Sequence, residues 1–198
     1  MIEKIGPTIY KGDTIYNTGA GGAGGNTQIF PDGVEEVESV KVINANVTIN
    51  FDGDLVYNDT EFKFIGKIET MGNTPGVLYN RNSSNIVGVN NSGRLYVYSS
   101  YRNLYLPTND YFTLIEKNGN FNGNYIDITS NMQNIKLFNK AGYQTFYPFV
   151  GRFKRFTISK TAPNVKYCDL LPVKDKINNA FGVYDIINNV LYTGGFSE

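Results

Sequence analysis

The sequence predicts an all-β protein, folded as a β-sandwich or a barrel. Apolar and polar residues alternate over most periodic stretches, Asn and Gly pairs separate these stretches, and none shows a convincing helical period. Short strands at close, even spacing with such turns are typical of sandwiches and barrels. The 198 residues are 41% hydrophobic, which is enough to bury the core of one domain.

The first clear strand signals lie in residues 61–69 and 86–98. In the first segment Phe62, Phe64 and Ile68 fall on one face, with mostly Lys and Glu on the other. The second segment carries Asn-Asn-Ser-Gly in its middle, and these residues tolerate the positive φ of a tight turn. We therefore expect a single strand followed by a hairpin.

Three later segments continue the pattern. Residues 111–128 contain Asn-Gly twice, which is the strongest short-range signal for a hairpin. In residues 151–159 the apolar phase slips between Phe153 and Phe156, which predicts a strand with a β-bulge. Residues 181–195 predict two short strands around an Asn-Asn pair.

A run of glycine and alanine at residues 19–25 predicts a domain boundary. Such a run has no side chains to pack, and its folding has a high entropic cost. We expect a docking segment and tether at residues 1–29 and a compact domain at residues 30–198.

The composition excludes several kinds of chemistry. The chain has no His and no Trp, so Ser-His-Asp, Cys-His and zinc-histidine sites are ruled out, and no cofactor is expected. One cysteine allows no internal disulfide, and a net charge of zero argues against nucleic-acid binding. The amino terminus shows no secretory signal, and no apolar run is long enough for a membrane span. We expect synthesis in a reducing cytoplasm.

The carboxyl-terminal part resembles a known kind of domain. The matching residues are Gly-Arg-Phe at 151–153, Leu-Pro-Val at 171–173, Gly-Val-Tyr-Asp at 182–185, Asn189 and Tyr-Thr at 192–193. Their order resembles the closing segment of laminin-G-like, concanavalin A-like jelly-roll domains, which are common in bacteriophage and gut-bacterial proteins. Residues 30–39 are similar to the opening of the same family, although Val34 replaces its usual aromatic residue.

This resemblance implies an antiparallel two-sheet jelly-roll sandwich over residues 30–198. Within the motif, Gly182 is expected to let the backbone turn and Tyr184 to pack its ring. Such a motif identifies a fold and does not identify a ligand.

The amino-terminal segment resembles a different group of proteins. The sequence EKIGPTIYKGDTIYNTGAGGAGG is similar to segments that open phage virion proteins, particularly tail and fibre components. Its apolar and aromatic residues Ile9, Tyr10, Ile15 and Tyr16 form short patches that cannot build a core alone. We predict that these four residues dock on another virion protein. The alternative is an ordinary disordered terminus.

A tyrosine-rich stretch supplies the candidate ligand-binding residues. They are Tyr96, Tyr98, Tyr101, Arg102 and Tyr105. Tyrosine combines a flat apolar face with a hydroxyl, which suits contact with a glycan. Strand alternation predicts that Tyr96 and Tyr98 face away from the core. The alternative is that these tyrosines simply cover the sheet.

Signals for metal binding and catalysis are weak. Asp52-Gly53-Asp54 with the following Asn58-Asp59 offers oxygens for calcium, but a solvated turn is favoured because the ligands are too few. Glu36 and Glu38 share one side of a strand, yet a glycosidase needs a precisely spaced carboxyl pair in a cleft. We therefore do not expect an enzyme.

The resemblances together indicate a bacteriophage virion protein. It would display the jelly-roll domain on the particle through its amino-terminal segment and adhere to a host-surface glycan or protein. The alternative is a capsid-decoration or fibre subunit without a host ligand, and a glycan-active enzyme is a remote third. Analogy with fibres and decorations suggests a homo-oligomer, with a trimer as the expected form.

Overall fold

The computed structural model describes residues 2–5, 9–12, 30–55, 59–69, 75–80, 86–98, 100–126, 132–138, 147–161 and 165–198. These residues form two β-sheets that pack as a sandwich, and they include no α-helix. The predicted all-β, jelly-roll-like sandwich is confirmed. A search of this described part finds no helix long and apolar enough to cross a membrane.

The strands follow one another in chain order. They are β1 (Ile2–Ile5), β2 (Ile9–Gly12), β3 (Val34–Glu36), β4 (Val40–Val42), β5 (Val47–Leu55), β6 (Thr60–Ile68), β7 (Gly76–Asn80), β8 (Ile86–Val89), β9 (Arg94–Val97), β10 (Ser100–Tyr105), β11 (Phe112–Lys117), β12 (Asn120–Phe121), β13 (Asn124–Tyr125), β14 (Met132–Leu137), β15 (Tyr147–Pro148), β16 (Gly151–Lys160), β17 (Val165–Asp175), β18 (Ala180–Asp185), β19 (Val190–Thr193) and β20 (Phe196–Ser197).

The two sheets differ in size. Among the described residues, the first sheet has thirteen strands, ordered β1-β2-β19-β18-β17-β16-β6-β11-β12-β13, with β3 beside β17 and β4 joining β16 to β20. The second sheet has seven strands, ordered β10-β9-β8-β7-β14-β5, with β15 beside β7. The pairing of β4 with β20 brings the beginning and the end of the globular part together.

An aromatic cluster fills the space between the sheets. Strand β6 alternates as predicted, with Phe62, Phe64 and Ile68 buried. The ring of Phe64 lies 5.8–6.3 Å, centroid to centroid, from five other rings, those of Phe112, Phe138, Phe149, Phe153 and Phe156. Most of these ring pairs meet edge to face, an arrangement that adds to the gain from burial.

The predicted bulge in β16 is confirmed. The register between β16 and β6 shifts between Phe153 and Arg155. Both Phe153 and Phe156 are fully buried, although their spacing of three breaks strict alternation. The bulge therefore lets both rings point into the core.

The predicted hairpin turns are also confirmed. Asn90 accepts hydrogen bonds through Oδ1 from the backbone N–H groups of Ser92 (3.1 Å) and Arg94 (2.9 Å) and closes the β8–β9 hairpin. In both Asn-Gly turns between β11 and β13 the Asn and Gly residues have positive φ, between 47° and 89°. Two consecutive positive φ values are typical of the type I′ turn that suits a hairpin.

A repeated turn joins the last long strands. The sequences D-K-I-N-N-A-F from residue 175 and D-I-I-N-N-V-L from residue 185 both connect neighbouring strands. Asp175 Oδ1 accepts from the N–H groups two and three residues later at 2.9 and 3.2 Å, and Asp185 does so at 3.0 and 3.3 Å. Asn179 and Asn189 follow with φ of 49° and 58°. The same sequence pattern thus forms both turns.

A smaller apolar cluster of Val173, Tyr184 and Leu191 lies on the outer face of the first sheet. Tyr184 is buried as expected, and its ring meets Phe30 edge to face at 5.8 Å.

The role of Gly182 differs from the expected one. Gly182 does not turn the chain, because it lies inside β18. A Cβ atom at Gly182 would lie 2.2 Å from the carbonyl oxygen of Tyr192 on β19. Its role is therefore to permit close approach of two strands.

The amino-terminal hairpin pairs with the same sheet. Strands β1 and β2 are antiparallel, and β2 pairs with β19, with Ile9 opposite Tyr192 and Tyr10 opposite Leu191. Within the described part, β1 is the terminal strand of the sheet. The predicted joint at residues 19–25 lies outside the described residues, and the domain boundary stays a prediction.

Candidate functional site

The tyrosine-rich stretch lies at the β10 edge of the second sheet. In the register of this sheet, Tyr96 on β9 stands between Gly88 on β8 and Tyr101 on β10. Arg94 stands opposite Tyr105, which is 57% exposed. Because paired residues in a sheet point to the same face, these side chains gather on the outer face. We call Arg94, Tyr96, Tyr101 and Tyr105 the tyrosine surface.

Ring contacts fix the geometry of the tyrosine surface. The rings of Tyr96 and Tyr101 meet edge to face, with centroids 5.2 Å apart and planes at 85°. The guanidinium carbon of Arg94 lies 5.3 Å from the centroid of the Tyr101 ring. The Nε–H of Arg94 donates to the carbonyl of Arg102 at 3.0 Å, which holds the cation over the ring. The Tyr101 ring is therefore held in place by two neighbours.

Burial affects the chemistry of Tyr96. Its ring packs against the buried side chains of Val77 and Ile86. The pKa of Tyr96 is raised, first by burial and second by the neighbouring Tyr101. Tyr96 therefore keeps its hydroxyl proton at neutral pH. It serves as a support for Tyr101 on one side and for the apolar cluster on the other.

Tyr98 departs from the predicted alternation. Strand β9 ends at Val97, and Tyr98 follows in a turn with φ of 65°. Its side chain packs against the main hydrophobic core, so it does not face outward with Tyr96. The positive φ reverses the direction of the side chain, which period-two reasoning does not anticipate.

The two arginines have different surroundings. Arg102 alternates with Tyr101 along β10, and its Nη2 donates to the carbonyl of Val97 at 3.4 Å. Its Nε is buried and has no hydrogen-bond partner among the described residues. The cation above the Tyr101 ring belongs to Arg94, which was not among the predicted site residues. The sequence feature that could have identified Arg94 is its position in the hairpin, two residues before Tyr96 and therefore on the same face of the strand.

This arrangement suits recognition of a hydroxylated ligand. A fixed aromatic face takes up the apolar face of a ligand, and the terminal nitrogens of Arg94 carry four further N–H donors. Tyr105 adds an exposed ring at the end of the same row. The surface lies on the outer face of the sheet at its edge strand, so a bound ligand buries little area and each contact is expected to be weak.

The predicted docking residues are only partly described. Ile9 and Tyr10 lie in β2, and Ile15 and Tyr16 lie outside the described residues. The backbone of β2 has a partner within the chain, because it pairs with β19. The docking role stays a prediction.

The acidic segment considered for calcium has a different structure from the one expected. Residues 52–54 lie within β5 and not in a turn, while Asn58 lies outside the described residues. Asp59 is exposed. Among the described residues, no group of three or more His, Cys, Asp or Glu residues is placed to bind a metal ion.

Another polar cluster, around Asp169, lies on the first sheet. The fully buried carboxylate of Asp169 accepts two bonds from Arg155, at 2.8 and 2.7 Å, and one from Lys166 at 2.6 Å. Next to it, burial is the main cause that raises the pKa of Cys168 well above its usual value, with Asp185 adding to the effect. Cys168 therefore stays a thiol at neutral pH, and the cluster joins strands β16, β17 and β18.

The candidate site rests on the geometry of the chain itself. Its main elements are the Tyr96–Tyr101 ring contact and the position of Arg94. Comparisons of this chain with protein-family models, with curated proteins and with solved structures find no match.

Proposed function

We propose that this chain is a bacteriophage virion protein that displays a β-sandwich on the particle and adheres to a host-surface glycan or protein. The observation that carries the adhesion proposal is the Tyr101 ring, held between Tyr96 and Arg94 at the edge of the second sheet. The virion assignment is supported by the resemblances of the two ends of the sequence.

The physical chemistry of the tyrosine surface favours weak contacts made many times. A shallow aromatic surface buries little area per ligand, so a single site binds weakly. Display in many copies raises the total affinity by about 10²–10⁴-fold without any new contact. A virion protein present in many copies is a suitable carrier for such a surface.

The attachment proposal concerns the amino-terminal hairpin. Because β1 ends the first sheet in the described part, its outer backbone N–H and C=O groups face away from β2. An edge of this kind accepts a further strand from a partner protein. We propose that another virion protein supplies that strand, or that the hairpin leaves β19 to join a sheet of the partner.

Removing the Tyr101 ring is expected to reduce adsorption. Particles carrying Tyr101→Ala together with Arg94→Ala should adsorb to the host at least about tenfold more slowly, because truncation of an aromatic or arginine contact at a binding centre costs that much affinity. Adsorption is measured as the loss of free particles from a host suspension over time.

Two controls make this experiment specific. Tyr101→Phe keeps the ring and should retain most adsorption, and Tyr147→Ala removes a 59% exposed ring elsewhere on the same sheet. Unchanged adsorption of the double variant would overturn the adhesion proposal and favour the decoration or fibre subunit without a host ligand.

The docking segment is tested by incorporation into particles. Replacing Ile9, Tyr10, Ile15 and Tyr16 with Ser is expected to abolish incorporation, because short apolar patches need an external surface. The content of the protein in purified particles is measured by quantitative mass spectrometry. A control with Lys4→Ser and Lys11→Ser changes polar residues of the same segment and should incorporate normally. Full incorporation of the fourfold variant would refute the docking role.

A further inference from the structure

A second concave surface lies at the far end of the first sheet from β1. Strand β11 and the two turns that follow it border an open cleft of about 560 Å³. Its main lining residues are Ile115, Lys117, Asn118, Asn120, Asn122 and Tyr125. This volume lies within the usual range of small-molecule sites. We call it the asparagine cleft.

Asparagine side chains make the frame of the cleft rigid. Asn122 accepts from the backbone N–H of Ile115 through Oδ1 at 2.8 Å and donates from Nδ2 to the carbonyl of Thr113 at 2.9 Å. Asn120 Oδ1 accepts from the backbone N–H of Gly123 at 2.6 Å. The second turn is thus tied both to β11 and to itself, so this side of the cleft is formed before any ligand arrives. A preformed site avoids the entropic cost of ordering on binding.

The apolar part of the cleft is open to solvent. Tyr125 is 71% exposed and Ile115 is 36% exposed. Neither side chain contributes much to the buried core, although Phe121 in the same hairpin is fully buried. An exposed aromatic ring on a rigid frame, beside an aliphatic side chain, offers a flat surface for the apolar face of a ligand.

Hydrogen-bond donors surround this apolar part. The ammonium of Lys117, the side-chain amide of Asn118 and the Nδ2 of Asn120 make no hydrogen bond to the described part of the chain. No carboxylate is among the lining residues, and in the sheet register Lys117 stands opposite Glu61 while Ile115 stands opposite Lys63. The cleft therefore suits a ligand with many hydroxyl groups, which accept hydrogen bonds from these donors.

We propose that the asparagine cleft binds one or two sugar units of a glycan. A pyranose ring combines an apolar face, which suits Tyr125 and Ile115, with hydroxyl groups that accept from amides and an ammonium. The cleft lies on a different sheet from the tyrosine surface. The proposal therefore stands independently of the adhesion role assigned to Tyr101.

Titration of the full chain with defined oligosaccharides tests this site. Maltohexaose, cellohexaose and mannohexaose are added separately to ¹⁵N-labelled protein while amide shifts are followed by NMR. We expect at least one of them to shift the amides of residues 115–125. Tyr125→Ala should weaken that binding about tenfold, because the ring is the largest contact. Asn118→Gly keeps the left-handed turn but removes the side-chain amide. This variant should weaken binding of the same sugar several-fold.

The controls separate this site from the tyrosine surface. Tyr101→Ala should leave the shifts at residues 115–125 unchanged, and Tyr147→Ala should do the same. Absence of shifts at these residues with all three sugars up to about 20 mM would overturn the proposal, since a site with a Kd of about 1–10 mM would be largely occupied at this concentration. Shifts confined to the tyrosine surface would overturn it while supporting the adhesion role of Tyr101.

Discussion

Replacing Phe64 with Ala is expected to lower the free energy of unfolding by about 3–5 kcal/mol, the usual cost of truncating a fully buried phenylalanine. Phe64 lies in the middle of β6, which has β16 on one side and β11 on the other. Its ring is fully buried and contacts five other aromatic rings. These neighbours belong to β11, to β16 and to the residues that follow β14 and β15, and they cannot collapse easily onto the cavity. The loss of unfolding free energy should therefore lie near the upper end of this range.

The neighbouring residue on the same strand provides a matched control. Ile65 is only partly buried, and alternation places it on the outer face of the sheet. Ile65→Ala should therefore cost much less, about 1 kcal/mol or below. Both variants are compared with the unchanged protein by urea denaturation followed with circular dichroism. Equal losses for the two variants would contradict the assignment of Phe64 to the sandwich core.

Gly182→Ala is expected to lower the free energy of unfolding by about 3 kcal/mol or more. This loss exceeds the usual cost of overpacking a core. The added Cβ would lie 2.2 Å from the carbonyl oxygen of Tyr192 and 3.1 Å from a methyl group of Thr193. The closer atom belongs to the backbone of β19, so relief requires the two strands to separate. Such a separation disturbs the β18–β19 ladder and the apolar cluster around Tyr184.

Two variants distinguish a strand clash from other effects of glycine. Gly123 has φ of +89° but open space around it, so Gly123→Ala should cost only the left-handed penalty of about 1–2 kcal/mol. Adding Thr193→Ser to Gly182→Ala removes the methyl contact and should restore little, since the backbone contact remains. The measurement is again the midpoint of urea unfolding. Recovery of full stability in the double variant would show that the Thr193 methyl group, and not the backbone of β19, causes the requirement for glycine at position 182.

The locally encoded parts of the fold were predictable. The alternation of β6, the Asn-Gly turns after Lys117 and the bulge between Phe153 and Phe156 depend on residues close together in sequence. Period-two burial and positive φ at Asn and Gly act over a few residues. Sequence patterns therefore identified these elements without knowledge of their partners.

The candidate site was predictable only in part. The density of tyrosines identified this stretch as a candidate, and the structure places Tyr101 and Tyr105 on the tyrosine surface. Tyr98 was misplaced because its positive φ ends the alternation, and Arg94 was missed because its contact with Tyr101 depends on the register between β9 and β10. The asparagine cleft depends in the same way on Asn122 reaching the backbone of β11.

By itself the sequence determined the all-β class, the main turns and the segments that carry apolar faces, because these follow from short-range periodicity and turn chemistry. Only the tertiary structure decided which strands pair, such as β6 with β16 and β4 with β20. It also decided that Gly182 is required by the nearness of β19 and that Arg94 stands over Tyr101. The physical reason is that strand pairing joins residues far apart in sequence, and the pattern of one strand does not specify its neighbour.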